Sequence, residues 1–173
     1  KSLIIIMLIL LGVIVYSNTF HNSFQFDDEL YIIDNTAIRD IKNLQDIWNF
    51  WPPRFIASLS FGINYHFHQL DVFGYHVVNL SIHIISSILV FFLILLTFST
   101  PRMKDEDISK YSNLIAFLCA LVFLAHPIQT QAVTYIVQRA TSLAVLFYLA
   151  ALIFYIKSRL LEKEPLYGNR YYS

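Results

Sequence analysis

Between residues 75 and 98 the chain carries no Asp, Glu, Lys or Arg. At about 1.5 Å of rise per residue, such a run crosses a hydrocarbon core of about 30 Å. Inside that core every backbone N–H and C=O needs an internal partner, so the segment has to be a membrane-spanning helix. Residues 2–16, 112–125 and 140–156 have the same character. The run 112–125 is short for a crossing: either it starts earlier, near Ile108, or its outer end stops below the membrane surface. The composition agrees: 57% of residues are hydrophobic and 14% charged, where soluble domains carry about 25% charged residues. The expectation is an all-α membrane protein with about four transmembrane helices.

The charges orient these spans. Lys1, the loop 99–111 with Arg102, Lys104 and Lys110, and the tail 157–173 with Lys157, Arg159, Lys163 and Arg170 fall on one side. The positive-inside rule makes that side cytoplasmic. A long loop, 17–74, and a short one, 126–139, then lie outside. This reading places the chain in a bacterial inner membrane, with the outer loops in the periplasm. The formal net charge is zero, so there is no basic surplus to hold nucleic acid. The single cysteine, Cys119, packs as a small hydrophobe. Residues 3–16 match a signal-peptide core in length but lack a small-residue cleavage site, so they read as an anchoring helix. A start at Lys1 reads as a processed or trimmed piece of something longer.

The long loop has structure of its own. Ile41, Leu44, Trp48 and Trp51 fall near helical spacing, with Asp40 as the expected N-cap and Pro52-Pro53 as the stop. Phe55, Leu59, Ile63 and Phe67 recur every fourth residue and predict a second helix with one apolar face. Two interfacial helices are thus expected in this loop, followed by a turn at residues 71–74.

Several polar groups sit where the bilayer makes them costly. Asp27 and Asp28, followed by Glu29, stand just beyond the first span. Adjacent side chains project in different directions, which suits a general base plus an orienting partner, or a solvated pair that caps the segment Glu29–Ile33. His76, Asn79 and His83 share one face of the second span. The two histidines lie about 10 Å apart along the axis, which disfavours a shared metal and leaves hydrogen bonding to a neighbouring helix or to a ligand. His66 and His68 point to opposite sides of their helix and make a poor metal pair. Arg54, at a helix start, suits a lipid phosphate or head-group snorkelling. His126, Pro127 and the polar residues after them interrupt the apolar run, with Arg139 just beyond. Their amides and Arg139 form either a helix break or an anion site. No serine-nucleophile motif, phosphate loop or zinc spacing is present.

Read in order, Phe26-Asp27-Asp28, Asn35, Arg54, Leu59-Ser60-Phe61, Asn64, Gly74-Tyr75-His76, Asn79, His83, His126-Pro127-Ile128-Gln129-Thr130, Ala132-Val133 and Gln138-Arg139 form a pattern. It resembles the N-terminal membrane part of the transmembrane and tetratricopeptide-repeat proteins, within the GT-C superfamily of glycosyltransferases. The likeness runs from about Leu3 to Tyr155. The resemblance implies a GT-C-like module for protein O-glycosylation, of the O-mannosyltransferase type. It implies a polyprenyl-phosphate-linked sugar as donor, presented from the bilayer, and a protein hydroxyl as acceptor. Asp27 and Asp28 match the position of the catalytic carboxylate. Arg54, His76, Asn79, His83, His126 and Arg139 are the candidates for substrate and lipid-phosphate binding. No metal ligands are assigned, and a divalent ion has no support in the spacing. The chain departs from the family at Phe55, where proline is usual, and at Gln131, where glutamate is usual. The family's full architecture adds further spans and a helical repeat domain. The alternative is therefore a non-catalytic membrane scaffold, bound to partner membrane subunits.

Overall fold

The computed structural model describes residues 1–162; Lys163 and Arg170, used in the orientation argument, lie outside the described residues. The elements are helices joined by tight turns, with no strand among the described residues. Three helical stretches are long and apolar enough to cross a membrane: Val72–Phe98, Asp107–Ala125 and Ile136–Leu161. The chain is thus an integral membrane protein. The first helix, α1 (Ser2–Val15), is equally apolar but shorter, at 14 residues.

The outer loop folds much as its pattern predicts, with one correction. Helix α2 (Leu44–Phe50) starts at Asn43, whose side-chain oxygen accepts the Asp46 N–H at 3.3 Å. Asp40 instead turns the chain earlier by accepting the Lys42 N–H at 3.0 Å, so Ile41 stays outside the helix. A proline-led turn, Pro52–Arg54, then opens α3 (Phe55–His68), because proline at a helix start lacks only a donor that would be orphaned anyway.

The apolar repeat of α3 does not form its inward face. Ala57, Ser58, Phe61, Gly62 and Asn64 are buried, whereas Ile63 and Phe67 are exposed. Beside a bilayer, small and polar residues belong inside, where backbones approach and hydrogen bonds form, and large apolar ones face outward.

The α3 helix ends at Gln69, in a positive-φ conformation, and Asp71 caps α4 (Val72–Phe98) by accepting the Phe73 N–H at 3.1 Å. Gly74 lies under the His68 ring: a Cβ there would come within 2.5 Å of it. Helix α4 is the central rod, and α1, α5 (Ser112–Ala125) and α7 (Arg139–Leu161) pack around it. A short turn over Asp107–Tyr111 extends α5 to full spanning length, as the start near Ile108 anticipated. The main core joins Leu8, Tyr16, Leu80, Ile84, Phe91, Ala116, Ala120 and Leu124. A second cluster under the outer loop holds Ile32, Ile38, Phe61, Tyr75 and Ile136.

The end of α5 shows why a proline break is stable here. Helix termini leave carbonyls unpaired. The Leu124 carbonyl accepts from the Tyr16 hydroxyl at 2.9 Å and sits 3.0 Å from His83 Nε2. Ser87 donates to the Ala120 carbonyl at 2.9 Å. The polar stripe of α4 thus serves its neighbour's backbone.

Gly12 faces Ile84 across the α1–α4 contact, and a Cβ at this position would approach that side chain to 2.7 Å. Replacing Gly12 with Val is expected to cost about 1–3 kcal/mol through overpacking. It should lower the melting temperature of the detergent-purified protein, whereas Val13→Ala, on the exposed face of α1, should change it little.

Candidate functional site

The acidic turn comes next to the polar break between α5 and α7. Asp28 is buried, at 1% exposure. Its Oδ2 accepts the Gln25 N–H at 3.0 Å, and its Oδ1 accepts the Val137 N–H at 2.7 Å across the fold. The carboxylate therefore clamps the outer loop onto the start of the last span; it does not cap the helical turn after it. Burial pushes its carboxyl above the ordinary range, and the two N–H donors pull it back only in part. A carboxyl raised in this way takes up its proton at higher pH in the folded chain than in the unfolded one. The cost of burying its charge therefore shrinks as pH falls through that raised value.

Asp27 points the other way and is exposed. Its backbone N–H donates to the Tyr135 hydroxyl oxygen at 3.1 Å. A pocket of about 450 Å³ opens here, lined by Gln25, Phe26, Thr130, Gln131, Thr134 and Tyr135. Phe26 has φ of 49° and is 84% exposed. A bulky residue in this left-handed region carries about 1–3 kcal/mol of strain, of the kind that collects at functional sites. The chain then makes a wide turn, Glu29–Ile33, closed by the Asp34 N–H on the Glu29 carbonyl at 2.8 Å.

That turn leads to Arg54. Tyr31 stacks on Trp51 with ring centroids 4.0 Å apart, and the Arg54 guanidinium lies over the other ring's system at 4.5 Å from the Trp51 centroid. Arg54 is exposed and has no carboxylate partner among the described residues. Beside it an apolar groove of about 400 Å³ runs between α3 and α7, past Phe55, Ile56, Leu143 and Phe147.

The other expected binding residues are placed differently. Arg139 is fully buried. It donates to Asn79 Oδ1 at 2.7 Å, to Asn64 Oδ1 at 2.6 Å, to the Ser60 carbonyl at 3.2 Å and to the Tyr75 carbonyl at 3.0 Å. Its guanidinium also lies 4.6 Å from the centre of the Phe61 ring. Asn79 turns its amide to the Ile136 carbonyl at 3.2 Å. His76 Nε2 meets the Asn22 carbonyl at 2.9 Å. His83 lies between Phe123 and Tyr16. All four are buried, and His83 also lines a small cavity of about 110 Å³ with Ser86, Phe123 and Gln129. His126 is exposed, and its Nδ1 accepts the Ile128 N–H at 3.3 Å, fixing the turn after α5. Among the described residues, no cluster of His, Cys, Asp or Glu has the makings of a metal site.

Tyr135 was missed from sequence. Nothing in its spacing marks it, since its role depends on a contact across the fold. Asn64 and Ser60 carried a signal, as members of the ordered motif pattern read from the sequence.

Comparison with known proteins finds relatives by sequence. The chain is 32% identical over 168 residues to Protein O-mannosyl-transferase F38B6.6 of Caenorhabditis elegans, covering 90% of this chain and 23% of that protein. It is 32% identical to Protein O-mannosyl-transferase Tmtc3 of Drosophila melanogaster, over 84% of this chain and 18% of the relative. Human Protein O-mannosyl-transferase TMTC4 is 27% identical, over 93% of this chain and 24% of the relative. By sequence, the chain belongs to the TMTC family. It spans about a fifth of the length of these TMTC relatives. The relatives are animal proteins, which lends no support to the bacterial membrane and periplasmic loop expected above. No family model matches the chain, and no solved structure matches it.

The enclosure of Arg139 has a measurable consequence. Arg139→Lys keeps the charge but cannot reproduce a fork that reaches both α3 and α4. It should destabilise the purified protein by about 2–3 kcal/mol, leaving Asn64 or Asn79 unpaired. Thermal melting in detergent reads this loss directly.

Proposed function

We propose that this chain forms part of a polyprenyl-phosphate-dependent protein O-mannosyltransferase, with Asp27 as its general base, on the non-cytoplasmic side of the membrane. The observation that carries the reading is the unequal burial of the two aspartates. Asp28 has both oxygens committed to backbone donors, which leaves it holding the loop. Asp27 is exposed beside a pocket of about 450 Å³, where an incoming hydroxyl has room. The names of the relatives, protein O-mannosyl-transferases, support a mannosyl donor and a protein acceptor.

In this reading a Ser or Thr hydroxyl of the acceptor gives its proton to the Asp27 carboxylate. Its oxygen bonds to the anomeric carbon of the sugar as the bond from that carbon to the lipid phosphate oxygen breaks. One displacement inverts the anomeric centre and needs only one carboxylate. A well-placed base is worth about 10²–10⁴-fold in rate. The departing lipid phosphate carries negative charge and needs a cation. Arg54 suits this role, because it is exposed, unpaired by carboxylates among the described residues and seated at the mouth of an apolar groove fit for an isoprenoid chain. The stack of Tyr31 on Trp51 under Arg54 ties that cation to the acidic turn. Asn79, Arg139, His76 and His83 then support the site from within.

The test compares two isosteric variants in membranes supplied with polyprenyl phosphate mannose and an acceptor peptide. Asp27→Asn should reduce transfer at least about 100-fold with the melting temperature unchanged. Asp28→Asn sets an NH₂ group against one backbone N–H and should instead cost about 1–3 kcal/mol of stability. Arg54→Gln should weaken transfer while leaving folding intact. Full transfer by the Asp27→Asn protein would remove the base assignment and leave the scaffold alternative.

A further inference from the structure

The pocket beside Asp27 has one side chain that touches the turn itself. Tyr135 lies between α6 (Thr130–Thr134) and α7, on the far side of the fold from the acidic turn in sequence. Its phenolic oxygen accepts the Asp27 N–H at 3.1 Å. A phenol has one proton of its own to give, and the Asp27 carboxylate lies within its reach. Phe26 presents its ring edge-on to Tyr135, with centroids 6.2 Å apart. The strained backbone of Phe26 is therefore held from three sides. The ring rests on Tyr135, the next amide is tied to the Tyr135 oxygen, and the Asp28 side chain grips Gln25 on one hand and Val137 on the other.

We propose that Tyr135 is a positioning residue for Asp27: its hydroxyl fixes the Asp27 backbone and aims the carboxylate into the pocket lined by Phe26, Thr130 and Gln131. This rests on the reading of Asp27 as the base. The phenol is suited to the task, since a tyrosine hydroxyl holds its proton at neutral pH, and burial with a contribution from the Asp27 charge pushes its ionisation further up. The division of labour then follows from two cross-fold contacts. Asp28 to Val137 sets where the turn sits, and Tyr135 to Asp27 sets where the reactive carboxylate points. Without the second contact the turn keeps its place while its exposed residue swings, and a base displaced by about 1 Å loses up to about 100-fold in rate.

The test is Tyr135→Phe, which deletes one oxygen and keeps the ring against Phe26. It has an arm that does not depend on catalysis. Hydrogen exchange at the Asp27 amide should speed up at least about tenfold, since its only acceptor is removed, while the Asp28 amide, bonded to the Gln25 carbonyl, stays as protected as before. In transfer assays kcat should fall roughly 10- to 100-fold with KM within about twofold of wild type. The double variant Asp27→Asn, Tyr135→Phe should be no slower than Asp27→Asn alone. Unchanged exchange at Asp27, or unchanged kcat in a protein that Asp27→Asn inactivates, overturns the positioning role and leaves the base assignment standing. Full transfer by Asp27→Asn removes both, and an equal rise in KM with no change in kcat would make Tyr135 a ligand contact instead.

Discussion

Everything at the outer end of this bundle hangs on a buried cation without a carboxylate. Charge in a low-dielectric interior is tolerated only when its hydrogen-bonding capacity is filled. Arg139 achieves this with neutral groups: two asparagine side chains, backbone carbonyls of α3 and α4, and an aromatic face. Because those acceptors come from two helices and the guanidinium from a third, α7, satisfying it also sets the mutual positions of all three. Asn79 extends the network to the backbone just before α7, the same stretch whose Val137 N–H holds Asp28. The path from the buried cation to the acidic turn is therefore a continuous chain of short polar contacts.

The acidic pair illustrates how adjacent identical residues acquire different chemistry. One carboxylate, desolvated and gripped by two amides, has become part of the frame. The other, a single residue away, projects outward because the chain between Phe26 and Glu29 turns sharply. The strain at Phe26 maintains that divergence, and it persists because neighbouring contacts hold it from both ends.

Much of this was legible in the sequence. The spans could be read from uninterrupted apolar runs, and the early start of the third span near Ile108 was among the readings the run allowed. The polar face of α4 was visible in the spacing of His76, Asn79 and His83, although a sequence cannot tell whether such a face meets a ligand or another helix. Here the partners were carbonyls freed by helix ends and turns, at Leu124, Asn22 and Ile136. The apolar repeat in α3 was equally plain, but its direction was not, because periodicity marks a face without saying whether protein or lipid covers it. The different fates of Asp27 and Asp28 could not be read at all, since they depend on Val137 and Tyr135, more than a hundred positions away.

The asymmetry of α7 bears on how such a site tolerates its surroundings. Its first residue, Arg139, is locked into α3 and α4, while Phe147, Tyr148, Phe154 and Tyr155 along its length stand uncovered. Mechanically it is a rod held along α4 and pinned hardest at its outer tip. When bilayer thickness changes, a helix of this kind accommodates by tilting, and the excursion grows with distance from that pin. The pinned tip, where Val137 meets the acidic turn, is the pivot and moves least, so the surrounding lipid can vary without disturbing the carboxylates.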